Sequence, residues 1–124
     1  MSRILVVEDD PLNRKLVSLI LRRAGYEVDT ASDASDAERR IGTSPPDLIL
    51  MDLDLPGKDG ITYASELRRR KRTAGTPIVA VTAYPLTWGE TATRASGCND
   101  YVTKPYNDSE LLRRVRRWLA RSMP

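Results

Sequence analysis

Side chains that could take part in chemistry follow four short apolar runs of the chain. They are Glu8 with Asp9, then Asp52, Thr82 and Lys104. Carboxylates can bind a divalent cation or act as nucleophiles, a hydroxyl can donate a hydrogen bond, and a lysine ammonium can neutralise an anion. The chain contains 0 histidines, which excludes a Ser-His-Asp triad, an imidazole zinc site, a histidine base and a self-phosphorylated histidine. Chemistry therefore falls to carboxylates, Lys, Thr or Tyr.

The apolar runs and the segments between them predict five strands, each followed by a helix. The predicted strands are 4–7, 26–31, 48–51, 78–81 and 101–102. The predicted helices are 11–24, 33–41, 61–72, 85–96 and one that follows a cap at Asn107 and closes the chain. Strict alternation of strand and helix predicts a parallel sheet with right-handed crossovers and helices on both faces.

The strand ends are where a ligand would bind in such a sheet. If the strand order is 2-1-3-4-5, strands one and three are neighbours about 4.8 Å apart, which brings Glu8, Asp9 and Asp52 into one pocket. Two like charges 4 Å apart repel by roughly 4 kcal/mol at an effective dielectric constant near 20. A cation or a raised pKa must therefore offset this repulsion, and hard oxygen ligands at this place suit Mg²⁺, or Mn²⁺, beside Asp52.

A carboxylate beside a metal ion and a lysine can accept a phosphoryl group. Asp52 would be the nucleophile and would become an aspartyl phosphate. Lys104 would supply the neutralising cation, and the Thr82 hydroxyl would bond a phosphoryl oxygen. Each residue alone is an ordinary loop or cap residue, and the joint position at successive strand ends favours the functional interpretation.

Four segments carry a resemblance to the receiver domains of two-component response regulators, which extends over essentially the whole chain. They are Val7-Glu8-Asp9-Asp10, Met51-Asp52-Leu53-Asp54-Leu55-Pro56-Gly57, Val81-Thr82-Ala83 and Tyr101-Val102-Thr103-Lys104-Pro105. The resemblance implies a flavodoxin-like, doubly wound (βα)5 fold with strand order 2-1-3-4-5. Segments 11–14 and 97–101 look like those of stand-alone receivers of the DivK kind and of receivers fused to hybrid kinases.

The resemblance also implies roles for individual residues. Asp52 would be the phosphoacceptor, Asp9 a direct metal ligand and Glu8 a ligand that acts largely through water. The Leu53-Asp54 segment, with Asp54 counted in the metal site, would offer a backbone carbonyl to the metal. The following residues would form the switch and its surroundings: Thr82 and Tyr101 as the moving pair, Ala83 as a small residue that leaves the phosphoryl group accessible, and a cis peptide at Lys104-Pro105.

The resemblance implies a switch rather than an enzyme with its own substrate. The phosphoryl donor would be a histidine kinase or a histidine phosphotransfer protein of a bacterial phosphorelay. The output would be a changed face formed by the fourth and fifth helices and the fifth strand, which could also form a homodimer. Asp54 departs from the neutral or amide residue that often stands two positions after the acceptor, and its extra charge could change the rate of dephosphorylation.

Length and composition indicate one domain over residues 1–124, with no effector domain. The apolar runs are short and a strand begins near the first residue, so no signal peptide or membrane span is expected. The single cysteine favours a reducing compartment, and a cytoplasmic location is expected.

Two other functions remain open at this point. Asp52-Leu53-Asp54 also resembles the first motif of haloacid-dehalogenase-type phosphatases, with Asp54 as general acid, although further acidic motifs are missing. The arginine clusters at 68–72 and 113–121 could form a nucleic-acid surface in this chain of formal net charge +3. A solvated helix face explains these arginines better, so nucleic acid is an unlikely partner.

Overall fold

A computed structural model describes residues 2–83 and 90–122 of the chain, and within them five strands alternate with five helices. The strands are β1 (Arg3–Val7), β2 (Glu27–Ala31), β3 (Leu48–Asp52), β4 (Ile78–Thr82) and β5 (Asp100–Thr103). The helices are α1 (Pro11–Arg23), α2 (Ala34–Thr43), α3 (Gly60–Arg69), α4 (Glu90–Ala95) and α5 (Asp108–Ser122). The predicted order of elements is confirmed.

All five strands are parallel and lie in the order β2-β1-β3-β4-β5. This order confirms the predicted doubly wound, flavodoxin-like sheet. The register pairs Val7 with Met51 and Asp52 with Val81, so β1, β3 and β4 end at the same edge. The residues that end these strands therefore lie side by side.

Alternate residues of the central strands belong to two separate hydrophobic cores, one on each face of the sheet. Leu5 and Ile49 belong to the core beneath α2 and α3, whereas Ile4 and Leu48 belong to the core beneath α1 and α5. All five positions of β3 are buried. Burial on both faces explains why its sequence is an uninterrupted apolar run that stops at Asp52.

Side-chain caps set where the helices begin. Asp10 accepts a hydrogen bond from the backbone N–H of Asn13, and Asp33 and Asp59 cap α2 and α3 in the same way. The predicted cap of α5 is also present, because Asn107 Oδ1 accepts from the backbone N–H of Glu110 at 2.8 Å. These caps hold the loops after the strands against the helix starts.

Some helix boundaries differ from the prediction or lie beyond the described residues. α2 ends at Thr43 rather than near Ile41, and the Thr43 hydroxyl donates to the carbonyl of Arg39 in its last turn. α3 ends at Arg69 rather than Arg72, because the hydroxyl of Thr73 folds back to donate to the carbonyl of Leu67 at 2.6 Å. The first part of the predicted fourth helix, with Tyr84 and Trp88, lies outside the described residues. None of the described helices combines the length and apolar character needed to cross a bilayer. The Lys104-Pro105 peptide is cis, as expected.

Candidate functional site

Three carboxylates meet at the edge of the sheet where β1 and β3 end. One carboxylate oxygen from each of Glu8, Asp9 and Asp52 lies within 4.8 Å of the others. Glu8 and Asp52 are only 5% and 4% exposed, whereas Asp9 is exposed. The pocket therefore has a buried floor and opens to solvent on the Asp9 side.

Lys104 brings the expected cation into this pocket. Its Nζ lies 3.1 Å from Asp52 Oδ2 and 3.5 Å from Glu8 Oε1. Its backbone N–H donates to the carbonyl of Thr82 at 2.8 Å, which ties the end of β5 to the end of β4. The backbone of Lys104 is thus fixed by a hydrogen bond to β4, and its ammonium group is held by the two carboxylates.

The turn after β3 orients the Asp52 side chain. Asp52 Oδ1 accepts a hydrogen bond from the backbone N–H of Asp54 at 2.9 Å, so the two carboxylate oxygens have different partners. Gly60, at the start of α3, lies against this turn. A Cβ atom at Gly60 would lie 2.6 Å from the Asp52 carbonyl oxygen and 2.8 Å from Leu53 Cα, which explains a glycine at this position.

The titration of the pocket follows from burial and charge. Burial, followed by the hydrogen bond and charge of Asp52, raises the pKa of Glu8 to about 8. Burial alone would raise the pKa of Asp52 as well, but hydrogen bonds from Glu8 and Asp54 and the charge of Lys104 hold it below its ordinary value. Two buried carboxyl groups thus share one proton, and Asp52 is the ionised member.

The ionisation of Lys104 follows the same logic. Burial would lower the pKa of Lys104, but the negative charge of Asp52 and Glu8 outweighs burial and raises it. Lys104 is therefore charged at neutral pH. A charged lysine faces an ionised aspartate at hydrogen-bonding distance, which leaves the Asp52 carboxylate available as a nucleophile.

The oxygen donors fit a hard divalent cation. Mg²⁺ and Mn²⁺ prefer carboxylate, carbonyl and water oxygens, and the three clustered carboxylates are of that kind. Burial and then the neighbouring Asp52 raise the pKa of Glu8, and a bound cation would favour its ionised form. The residues present therefore fit a magnesium or manganese site.

The other predicted residues, Thr82, Ala83 and Tyr101, differ in burial and in position around the pocket. Thr82 is fully buried as the last residue of β4, and the next residue, Ala83, is exposed and lines a groove together with Lys104. The backbone N–H of Ala83 lies 3.5 Å from Asp54 Oδ2, at the limit of a hydrogen bond. Tyr101 lies on β5 opposite Ala80, half-buried against the α2 and α3 core.

Two residues near the site were not predicted. Nη1 of Arg14 donates to the carbonyl of Glu8 at 2.9 Å and lies 3.4 Å from that of Asp9. Tyr106 lines the cavity beside Glu8 and Asp52, and burial raises its pKa to about 12. The position of Arg14, at the start of the helix that follows the acidic pair, was the sequence signal that could have indicated its role.

The arginine clusters divide into internal and exposed residues. Arg68 and Arg114 hydrogen-bond within the protein, to the α4–β5 loop and to the buried Asp100 respectively. The predicted solvated face of α5 therefore consists of Arg113, Arg116, Arg117 and Arg121, which are exposed. Arg117 and Arg121 lie 5.4 and 5.2 Å from the ring centroid of Trp118.

Comparisons with known proteins bear on the same residues. A family model described as the response regulator receiver domain matches residues 4–116. The transcriptional regulator RpaA of Synechocystis is 42% identical over 122 residues, which are 98% of this chain and 51% of that protein. The chain thus spans about half the length of this relative.

Two solved structures share the fold closely. The receiver domain of the sensor histidine kinase PA1611 of Pseudomonas aeruginosa is 36% identical, with a TM-score of 0.87 over 96% of this chain and 98% of that one. That structure contains a magnesium ion coordinated in its active-site cleft. The chemotaxis protein CheY4 of Vibrio cholerae is 30% identical, with a TM-score of 0.88 over 94% of this chain and 98% of that one.

Proposed function

The chain belongs to the response regulator receiver domain family, and on that premise we propose that Asp52 accepts a phosphoryl group from a phosphohistidine of a partner protein. The observation that supports this most is the ionised, buried Asp52 carboxylate beside the Lys104 ammonium, 3.1 Å away. A carboxylate that is shielded from water and held in one position is well placed to act as a nucleophile.

The proposed transfer forms one bond and breaks one. An oxygen of Asp52 attacks phosphorus, the phosphorus–nitrogen bond to the donor imidazole breaks, and the imidazole keeps the electron pair and takes a proton. Lys104 lies within reach of the charge that develops on the transferred group. Hydrolysis of the aspartyl phosphate by water restores Asp52.

We propose that Asp9 and Asp52 hold Mg²⁺, or Mn²⁺, directly, that Glu8 contributes largely through water, and that a carbonyl of the Leu53-Asp54 segment completes the protein ligands. The clustered carboxylates and the magnesium ion in the PA1611 receiver support this assignment. When bound, the ion neutralises negative charge on the transferring phosphoryl group. Lys104 and the ion would then share that task.

The switch is proposed to involve Thr82, Ala83 and Tyr101. Thr82 ends the strand next to Asp52, and the exposed Ala83 leaves that side of the groove open. Tyr101 lies on the neighbouring edge strand, where a half-buried ring has room to change position. The face formed by α4, β5 and α5 would carry the output, either to a partner or to a second copy of the chain.

A phosphohistidine donor must dock around the mouth of the pocket. Leucine side chains on α1 are exposed there: Leu12 by 64% and Leu16 by 49%. Leu16 lines the same groove as Ala83, Lys104 and Pro105. We propose that a histidine kinase or a histidine phosphotransfer protein packs apolar side chains on this exposed stripe.

Two coarser properties complete the proposal. Residues 1–124 would act as one receiver unit that switches by phosphorylation rather than turning over a substrate of its own. A cytoplasmic location is proposed because Cys98 is a free, buried thiol and no disulfide is needed for the fold. Family membership supports this function over the haloacid-dehalogenase and nucleic-acid alternatives.

Acetyl phosphate with Mg²⁺ tests the proposal directly. We expect the wild-type chain to gain the mass of one phosphoryl group, and to lose this gain with EDTA or in Asp52→Asn. The matched control is Asp47→Asn, which removes an exposed carboxylate just before β3, at the opposite edge of the sheet. Phosphorylation that persists in Asp52→Asn would refute the assignment of the acceptor.

A further inference from the structure

Arg68 on α3 is a half-buried arginine whose partners are almost all backbone carbonyls. Its Nε donates to the carbonyl of Gly97 at 2.7 Å, and its Nη2 donates to Asn99 Oδ1. Its Nη1 reaches three carbonyls of the α3–β4 loop, those of Thr73, Ala74 and Thr76, at 3.1, 3.1 and 2.6 Å. One guanidinium therefore joins α3, the loop after it and the α4–β5 loop.

The surroundings of Arg68 accommodate the shape of its side chain rather than neutralise its charge. Among the side chains that the structure describes, no carboxylate forms an ion pair with it. Gly97 has a φ of +101°, and a Cβ atom there would lie 2.3 Å from Arg68 Cγ. The glycine thus satisfies both the backbone conformation and the close approach of the arginine stem. Ser65, one turn earlier on α3, donates to the carbonyl of Ser96 at 3.3 Å.

Asn99 passes this restraint on to the sheet. Its Oδ1 accepts from the backbone N–H of Ile78 at 2.8 Å as well as from Arg68, and its own backbone N–H donates to the carbonyl of Ile78 at 2.8 Å. Asn99 directly precedes β5, and Ile78 begins β4. The connection into β5 is therefore tied to the start of β4 and to α3 together.

The next residue is held from the opposite face of the sheet. Asp100 is 4% exposed, and its carboxylate accepts from Arg114 Nη1 at 2.6 Å and from Trp118 Nε1 at 2.9 Å, both on α5. The start of β5, an edge strand, is thus fixed by arginines on both sides. Directly after Asp100, β5 continues with the half-buried Tyr101 and ends at the exposed Thr103.

We propose that Arg68 is a positioning residue of the switch, which fixes the α4–β5 loop (residues 96–99) against α3 and makes the start of β5 a pivot. Within residues 96–104, structural change after phosphorylation is then confined to the part of β5 beyond the pivot, with Tyr101 and the approach to Lys104. The loop before β5 stays in place because Arg68 joins it to α3. The inference rests on the proposed phosphorylation of Asp52.

Hydrogen exchange measured by mass spectrometry tests the pivot on the full chain. In Arg68→Met we expect backbone amides of residues 96–100 to exchange about tenfold faster, because the Gly97 carbonyl and the Asn99 side chain lose the donor that joins them to α3. The control is Arg69→Met, an exposed neighbour on the same helix, which should exchange like the wild type. If exchange at 96–100 is unchanged in Arg68→Met, the proposal is overturned. This result does not depend on phosphorylation of the protein.

Beryllofluoride with Mg²⁺, a mimic of the phosphorylated state, separates a positioning role from a merely structural one. Among residues 96–104 of the wild type, the exchange change on activation should be confined to 101–104, whereas in Arg68→Met it should spread into 96–100. A change that stays confined in Arg68→Met would also overturn the pivot. If Arg68→Met does not fold, Arg68→Lys keeps the charge without the fork of donors and should show the same spread.

Failure of the proposed function would look different. Phosphorylation by acetyl phosphate is measured by mass in the same samples. If the wild type gains no phosphoryl group, Asp52 is not the acceptor, while the exchange of the untreated variants still decides whether Arg68 fixes the start of β5.

Discussion

Lys104 Nζ lies 3.1 Å from Asp52 Oδ2, and this ion pair joins the end of the edge strand β5 to the end of the central strand β3. The side chain of Asp52 is 4% exposed and that of Lys104 is 24% exposed. Because this pair is largely shielded from water, each partner strongly affects the ionisation of the other. It helps to keep Asp52 ionised, and under the proposed function Lys104 would provide a cation for the phosphoryl group.

Lys104→Met removes the ammonium group and therefore tests both effects. Phosphorylation by acetyl phosphate should slow by about 10²-fold, the usual cost of removing one positioned charge-stabilising group. The pKa of Asp52 should rise, because the charge of Lys104 is one of the causes that lower it. The control is Lys58→Met, since Lys58 pairs with Glu66 on the surface. An unchanged rate in Lys104→Met would contradict its role.

Asp54→Asn tests the unusual charge two residues after the acceptor. The Asp54 side chain approaches the backbone N–H of Ala83 at the mouth of the site. We expect a longer lifetime of the aspartyl phosphate, because a carboxylate can take a proton from attacking water and an amide cannot. The lifetime is measured by following the loss of phosphoprotein after acetyl phosphate is removed. A lifetime equal to that of the wild type would count against the hypothesis.

Strand ends were predictable because side chains change from apolar to polar at one residue. The run from Leu48 to Met51 is apolar since both faces of β3 are covered, and Asp52, although buried, interrupts it at the end of the strand. The parallel order then brings Glu8 and Lys104 to the same place. The pocket residues come together because of this topology, and the alternation of strands and helices along the sequence predicts the topology well.

Contacts across loops were not predictable from the same patterns. Arg68 belongs to a run of basic residues, and helix periodicity places it beside the buried Leu67 without indicating that it donates to backbone carbonyls, among them that of the distant Gly97. Arg114 likewise belongs to a run read as solvated, yet it binds the buried Asp100. The end of α3 was placed too late because Arg and Lys favour helix, whereas the Thr73 hydroxyl ends the helix by a tertiary contact.

Arg14→Met tests whether the acidic loop is positioned from α1. Arg14 donates to the carbonyl of Glu8 at 2.9 Å, which joins the backbone of the acidic loop to α1. Without this hydrogen bond the Glu8-Asp9 backbone should be less ordered, and the affinity for Mg²⁺ should fall by about tenfold, the energy of one hydrogen bond to a charged group. Isothermal titration calorimetry with Mg²⁺ measures this change.

The outcome for Arg14 is read against its neighbour. Lys15 is exposed on the same helix, so Lys15→Met removes an equal charge without the carbonyl contact. Removal of a positive charge by itself should raise the affinity for Mg²⁺. A gain of equal size in Arg14→Met and Lys15→Met would therefore show that net charge, and not the position of the Glu8-Asp9 loop, is responsible.

The pH dependence of stability should reveal the buried Asp100. Burial alone would raise the pKa of Asp100, but hydrogen bonds from Trp118 and Arg114 outweigh burial and lower it from its ordinary 3.8. A carboxyl group whose pKa is lowered by folding stabilises the folded state above its unfolded pKa, and this contribution is lost as the pH falls through the folded value. The wild-type free energy of unfolding should therefore fall below about pH 4 in part because of Asp100.

Asp100→Asn should remove this part of the pH dependence. At pH 7 the variant should be less stable by about 1–3 kcal/mol, because an amide cannot replace a carboxylate between the donors of Arg114 and Trp118. The difference should shrink below pH 4 as Asp100 is protonated in the wild type. Urea unfolding followed by circular dichroism at a series of pH values measures it. Glu27→Gln, which breaks an exposed pair with Arg3, should cost less than about 1 kcal/mol. A loss in Asp100→Asn as small as this, or one independent of pH, would mean that the buried pair with α5 does not hold the start of β5.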